Sequence, residues 1–132
     1  MRLFQDADRV HGFLEFDGAA QAIDALAPLV SDALVGGADR AYVALLVWPS
    51  PAGRELGERL AGHLALRLAS FNALRGTSER IERLALLAEP PRIDAHEVSD
   101  KGTINQRVAL QRRAADVEAL YATPLDPRVI TP

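Results

Sequence analysis

The feature that most constrains the fold is an apolar run at residues 42–48, which reads YVALLVW. Seven consecutive apolar residues rich in β-formers favour a strand covered on both faces, because a strand with one wet face alternates polar and apolar residues. A second apolar stretch, residues 33–35, precedes it across Gly36 and Gly37. Since two glycines adopt positive φ at little cost, the pattern predicts a β-hairpin.

Two amphipathic helices are predicted after this hairpin. Ser50 and Pro51 form a typical helix start, with serine at the N-cap and proline at the first helical position, and the helix is expected to end near Leu74. The last helix is predicted from Ile104 to about Ala122. The predicted apolar stripes are Leu56, Leu60, Leu64, Leu68 and Phe71 in the first, and Leu110, Ala114, Val117 and Tyr121 in the second.

Shorter elements complete the predicted architecture. An alanine-rich helix at residues 19–27 should end at Pro28, and a third strand is predicted at residues 83–88. The resulting order is helix, strand, strand, helix, strand, helix. It predicts an α+β fold in which two to three helices pack on a small three-stranded sheet, with a further N-terminal hairpin between residues 3–4 and 13–16.

Composition excludes several classes of protein. The chain has 132 residues, 48% of them apolar, which indicates one folded domain. It has no cysteine, no long apolar segment and no signal peptide, so we expect a cytoplasmic protein that does not bind membranes. The net charge of −3 argues against nucleic acid as a partner.

Motifs of common enzyme classes are also missing. The sequence contains no glycine-rich phosphate loop, no GxSxG and no HExxH, and its three histidines lack metal-ligand spacing, so no metal site is predicted. An independent hydrolase is disfavoured because no nucleophile–base pair is visible.

The segment that stands apart is EVSDKGTINQR, residues 97–107, because it holds Lys101, the only lysine among 15 basic residues. A structural interpretation treats Thr103 and Gln106 as a capping box, with Gly102 supplying a tight turn into the helix. Loss of the Thr103 cap would then cost about 1 kcal/mol. This interpretation leaves the lysine unexplained on a polar loop, where functional residues are often found.

Two stretches resemble a known family: PLVSDALVGGADRAYVALLVWPS and LALLAEPPRIDAHEVSDKGTINQRVALQRRAADVEALYA. They resemble the C-terminal subdomain of feruloyl-CoA synthases, which are adenylate-forming acyl/aryl-CoA ligases, over residues 26–130. In the wider superfamily, a lysine just after the glycine of this motif contacts the carboxylate and the α-phosphate. Here Thr103 has that place and Lys101 precedes Gly102, as in the feruloyl-type branch.

The resemblance implies a site and a partner. Lys101 is the candidate catalytic group, and the residues that shape the surrounding nucleotide and substrate loop are Asp100, Gly102, Thr103, Asn105, Gln106 and Arg107. Complete ligases use ATP, Mg and CoA, and hold ATP and the acid in a large N-terminal domain. We therefore expect this chain alone to bind none of these cofactors, and a large ligase domain or subunit to be its partner.

The same resemblance divides the chain into three parts. Residues 1–18 resemble the end of the large ligase domain, residues 19–122 the lid-type domain, and residues 123–132 form an extended tail. On this basis we expect a gene remnant, a separately expressed subunit or a designed fragment.

Two functions remain in competition. The first is a lid domain that assists adenylation only when joined to a large ATP-binding domain. The second is a non-catalytic assembly module that kept the fold and acts as a homo-oligomer or a partner subunit, because apolar surface without its large domain would favour association.

Overall fold

The computed structural model describes residues 18–37, 40, 42–75 and 80–132. The order of helices and strands confirms the predicted α+β fold, whereas the expected hairpin of residues 3–4 and 13–16 lies outside the described residues. Nowhere in the described part does a helix combine the length and apolar character needed to cross a membrane. The elements are α1 (Gly18–Leu26), β1 (Val30–Gly36), β2 (Val43–Pro49), α2 (Pro51–Glu55), a 3₁₀ turn (Gly57–Arg59), α3 (Leu60–Ala73), β3 (Ile81–Leu86), α4 (Gln106–Arg112) and α5 (Ala114–Leu120).

The three strands form one mixed sheet in the order β1-β2-β3. β1 and β2 are antiparallel with Val35 opposite Leu45, which confirms the predicted hairpin. β2 and β3 are parallel with Leu45 opposite Leu84. Parallel neighbours require a crossover connection, and α2, the 3₁₀ turn and α3 supply it.

β2 is buried on both faces, as the apolar run predicts. One face of the sheet forms a hydrophobic core with α1 and α3, and the other forms a second core with α4 and α5. The β2 residues are Val43, Leu45 and Val47 in the first core, and Ala44, Leu46 and Trp48 in the second.

Both edges of the sheet are partly paired by segments from the end of the chain. At β1, the Gln106 side chain donates from Nε2 to the Ala33 carbonyl at 2.8 Å and accepts from the Val35 N–H at 3.0 Å. At β3, Leu84 and Ile130 exchange backbone hydrogen bonds of 2.9 and 2.6 Å. Since unpaired edge strands invite association with other chains, these contacts also protect the sheet.

The helix predicted from Ser50 to Leu74 is not continuous. It is divided into α2, the 3₁₀ turn and α3, because Gly57 has a φ of 55°, which a right-handed helix cannot contain. The start is as predicted, since the Ser50 hydroxyl accepts from the Gly53 N–H at 3.1 Å. Of the predicted stripe, Leu60, Leu64 and Leu68 are buried, whereas Leu56 and Phe71 are half-buried.

The helix predicted from Ile104 to Ala122 is also wrong in detail. It begins at Gln106 and is interrupted at Arg113, which separates α4 from α5. Its innermost residues are Ala109, Arg113 and Leu120. The predicted stripe is half-buried at Leu110, Val117 and Tyr121 and exposed at Ala114, because the helix face is rotated to bring Arg113 inward.

Two glycines make a matched test of packing. A Cβ at buried Gly53 would lie 2.2 Å from the Leu29 carbonyl oxygen, whereas a Cβ at exposed Gly62 in α3 would meet nothing within 4 Å. We expect Gly53→Ala to lower the free energy of unfolding by about 1–3 kcal/mol. Gly62→Ala should raise it by about 0.4–1 kcal/mol. Urea denaturation measures both values, and equal effects would contradict the packing at Leu29.

Candidate functional site

The segment that carries Lys101 folds as a small β-hairpin, residues 97–105, called the Lys101 hairpin below. It has one antiparallel bridge and two cross-strand backbone hydrogen bonds. The pairs are Val98 with Ile104, Ser99 N–H to the Thr103 carbonyl at 2.8 Å, and Asn105 N–H to the Glu97 carbonyl at 2.7 Å.

The tip of the Lys101 hairpin is a tight turn of Asp100, Lys101 and Gly102. The Gly102 N–H donates to the Ser99 carbonyl at 2.9 Å, and Gly102 has a φ of 82°. Three-residue loops of this kind end in a residue with left-handed backbone, which favours glycine. The turn exposes Lys101, whose ammonium has no hydrogen bond or ion pair to any residue that the structure describes.

The predicted capping box is wrong. Thr103 contacts the Ser99 hydroxyl at 2.7 Å between the two oxygens. Asn105 is the N-cap of α4 instead, and its side-chain oxygen accepts from the Val108 N–H at 3.3 Å. The helix begins after Asn105 because Thr103 and Ile104 are used in cross-strand pairing of the hairpin.

The other two predicted site residues lie at the start of α4. The Gln106 side chain does not accept from the backbone N–H of Thr103, as the capping box predicted. It forms hydrogen bonds with the backbone of β1 instead. Arg107 is exposed, with no ion pair to a described residue. The predicted site is therefore one continuous structure, in which Lys101 lies at the tip and Asn105 and Gln106 join the hairpin to the core.

A buried carboxylate anchors the base of this hairpin. The Glu97 side chain is fully buried and lies between two guanidinium groups. Arg113 donates from Nε to Oε2 at 2.9 Å, and Arg112 pairs with Oε1 at 2.8 Å. The Arg92 N–H donates to the same Oε1 at 2.9 Å. Glu97, Arg112 and Arg113 are called the Glu97 cluster below.

Arg113 connects the Glu97 cluster to the central strand. Its guanidinium lies over the Trp48 ring, 5.1 Å from the centroid, and donates to the Pro90 carbonyl at 3.2 Å. Trp48 itself donates from Nε1 to the Glu89 carbonyl at 2.7 Å. The hairpin base is thus held by side chains that are themselves fixed against β2.

Electrostatics keep Glu97 ionised. Burial by itself raises the pKa of this carboxyl, but the hydrogen bonds from Arg113 and the Arg92 backbone, with the charges of Arg113 and Arg112, hold the pKa below its ordinary value. A buried carboxylate with two cationic partners is fully hydrogen-bonded and charge-compensated.

Sequence reasoning missed the roles of Glu97 and Arg113. A signal was available, because Arg113 lies one helical turn after Ala109 and two turns before Leu120, on the face that is buried. An arginine on an apolar face needs a buried acceptor, and Glu97 lies inside the segment that stood apart.

Two cavities lie away from the hairpin. One of about 190 Å³ is bordered by Val35, Arg40 and Tyr121 among others, and one of about 340 Å³ lies between Ala25 and Arg67. None of residues 97–107 lines either cavity. Lys101 is exposed and lies outside both of these cavities.

A family model described as the AMP-binding enzyme C-terminal domain matches residues 19–124 of this sequence. The chain belongs to this family. A search of curated protein sequences finds no match. The matched range includes the whole Lys101 hairpin and, among the helices and strands of the described residues, everything except the first residue of α1.

Solved structures agree with the family at the level of the fold. The A-PCP didomain of carboxylic acid reductase from Segniliparus rugosus, in complex with AMP, is 25% identical with a TM-score of 0.60 over 78% of this chain and 16% of that chain. The A domain from the same organism, with AMP and a co-purified carboxylic acid, is 25% identical with a TM-score of 0.60, over 78% of this chain and 18% of that one.

The adenylation domain of a carboxylate reductase from Mycobacterium chelonae shares the fold at 20% identity, with a TM-score of 0.61 over 77% of this chain and 17% of that chain. This chain therefore spans about one-sixth of the length of the similar structures. The matching unit is one part of a larger protein in each of them.

The correction of the helix cap has a testable consequence. Asn105→Ala removes the side-chain acceptor of α4 and should lower the free energy of unfolding by about 1 kcal/mol. Thr103→Ala is the matched control, and since exposed Thr103 caps no helix it should cost less than about 0.5 kcal/mol. Thermal and urea denaturation measure both variants. If Thr103→Ala lowered the free energy of unfolding more than Asn105→Ala, Thr103 would be the helix cap and the assignment of Asn105 would be wrong.

The Glu97 cluster predicts a pH dependence of stability. Because the folded state lowers the pKa of Glu97 below its ordinary 4.5, its contribution is complete above about pH 5.5 and is lost as the pH falls through the folded-state value. Glu97→Gln should cost about 3 kcal/mol at pH 7, since it leaves buried Arg113 without its carboxylate. Urea denaturation between about pH 3 and pH 7 should show the difference between wild type and variant shrinking toward acid pH. If the difference in the free energy of unfolding between wild type and variant stayed the same over this pH range, Glu97 would not be ionised in the folded state.

Proposed function

We propose that this chain is the C-terminal domain of an adenylate-forming acyl- or aryl-CoA ligase of the feruloyl-CoA synthase type. In this role it assists the adenylation of a carboxylic acid when joined to a large ATP-binding domain, in the same polypeptide or a separate one. The observation that carries the proposal is the single lysine, Lys101, exposed at the tip of an anchored hairpin in a chain of this family.

The reaction explains why a lysine is needed. A carboxylate oxygen attacks the α-phosphorus of ATP, the new acyl–phosphate bond forms, and the bond to pyrophosphate breaks. Two anions approach each other and negative charge grows on the phosphoryl oxygens. The ammonium of Lys101, a compact point charge, stabilises that charge.

The shape of the site supports a role in combination with another domain. Lys101 is exposed at the hairpin tip, outside both cavities described above. On this proposal the large domain holds ATP, Mg, CoA and the acid, and Lys101 approaches them from outside. One similar structure contains AMP and a co-purified carboxylic acid, which supports the same substrate class.

The neighbouring residues support the presentation of Lys101. Gly102 permits the turn, and Asn105 and Gln106 fix the start of α4. Asp100 and Thr103 are exposed at or beside the tip, Arg107 is exposed at the start of α4, and on this proposal all three would face the nucleotide and substrate. On this proposal residues 19–122 form the closing domain, residues 1–18 lead to it from the large domain, and residues 123–132 are the tail. Such a domain closes for adenylation and moves away for thiol attack.

The test joins the full 132-residue chain to the large ATP-binding domain of a feruloyl-CoA synthase that lacks its own C-terminal domain. ATP–pyrophosphate exchange with ferulate should rise when the chain is present. Lys101→Ala should abolish most of that gain, about 10²–10³-fold, because a preorganised charge donor is lost. Lys101→Arg should restore little of it, since a planar guanidinium differs from a point charge.

Stability provides the control. Lys101 is exposed, so Lys101→Ala should change the free energy of unfolding by less than about 0.5 kcal/mol. The chain without a large domain should give no exchange. No gain from the joined chain, or a gain that Lys101→Ala leaves intact, would refute the proposed function.

A further inference from the structure

We infer that Glu97 and Arg113 are positioning residues for Lys101: their ion pair fixes the base of the Lys101 hairpin and so decides where the lysine amine is presented. This inference rests on the proposed function of Lys101. Glu97 and Arg113 would affect the adenylation step only by orienting Lys101. Neither residue would contact the substrate.

The first step of the argument is that Glu97 belongs to the hairpin itself. Its carbonyl accepts from the Asn105 N–H at 2.7 Å, and its own N–H donates to the Arg92 carbonyl at 3.0 Å. The chain reverses at His96, which has a φ of 64°. The backbone of Glu97 is therefore held on both sides, one short strand away from Lys101.

The second step is that the partner of Glu97 is fixed to the rest of the domain. Arg113 is only 7% exposed, lies over the ring of Trp48 and donates to the Pro90 carbonyl. It occupies the interruption between α4 and α5, which brings its side chain inward. A continuous set of contacts thus leads from β2 through Arg113 to Glu97 and the hairpin.

The third step asks why an ion pair, rather than a pair of apolar side chains, occupies this buried position. A buried ion pair is often no more stabilising than apolar residues of the same volume, so stability alone does not explain it. Two hydrogen bonds from one guanidinium to one carboxylate, of 2.9 and 3.2 Å, fix direction as well as distance. A two-stranded hairpin as short as this one is marginal by itself, so its orientation depends on what holds its base.

The experiment is a double-mutant cycle in the fusion with the large domain, with rates expressed per folded molecule. Glu97→Gln should lower kcat of the exchange reaction about tenfold to 10²-fold, because a misplaced charge is no longer aligned with the phosphate. KM for ATP should stay within about twofold, since ATP is held by the large domain. In the Lys101→Ala background, Glu97→Gln should cause no further loss.

The control is Glu118→Gln on α5, which removes the ion pair between Glu118 and Arg40, and neither residue belongs to the hairpin or the Glu97 cluster. It should leave exchange unchanged. If Glu97→Gln lowers exchange by the same factor with and without Lys101, Glu97 is merely structural and the inference is overturned. If Lys101→Ala itself has no effect, the proposed function fails, which is a separate result.

A second measurement needs no activity assay and uses the 132-residue chain alone, without the large domain. NMR relaxation should report an ordered backbone at residues 100–102 in the wild type and a disordered one in Glu97→Gln, with the amides of β2 unchanged in both. Arg113→Lys keeps the charge but loses the paired hydrogen bonds, and should give an intermediate result. It also serves as the test variant if Glu97→Gln does not fold. An unchanged hairpin tip in a folded variant would overturn the inference.

Discussion

The burial of β2 on both faces is the constraint on which the rest of the structure depends. Its alternate side chains enter two cores, one with α1 and α3 and one with α4 and α5. A central strand without a wet face needs a layer of helices on each side and a neighbouring strand at each edge. The sheet order β1-β2-β3 and the crossover between β2 and β3 meet that need in about a hundred residues.

The second core also connects the centre of the domain to the Lys101 hairpin. Trp48 is part of β2, and its ring packs under Arg113, which in turn holds the Glu97 carboxylate. The Lys101 hairpin therefore begins at a buried anchor even though its tip is exposed. If the proposed function is correct, a fixed base with an exposed cation would let this domain present its charge to a substrate bound by a larger domain.

Much of the candidate site could be predicted because its signals are local. The sequence predicted that Lys101 lies on a polar loop with a tight turn at Gly102, and the positive φ of Gly102 agrees with that turn, but the sequence did not predict that the loop is a β-hairpin. The helix cap could not be predicted, because Thr103 is used by a strand pairing that depends on Ser99 and Glu97 across the turn. The pairing of Gln106 with β1 joins residues more than seventy positions apart, and no local pattern encodes it.

The sequence by itself determined the α+β class, the doubly covered strand, the Ser50 cap and the family, since each depends on neighbouring residues or on a recurring pattern of residue types. Only the tertiary structure decided where the two predicted helices are interrupted and which face of the last one is buried. It also decided that Arg113 faces inward. The physical reason is that a buried arginine is stable only where a carboxylate meets it, and Glu97 reaches that place through the fold of the intervening loop.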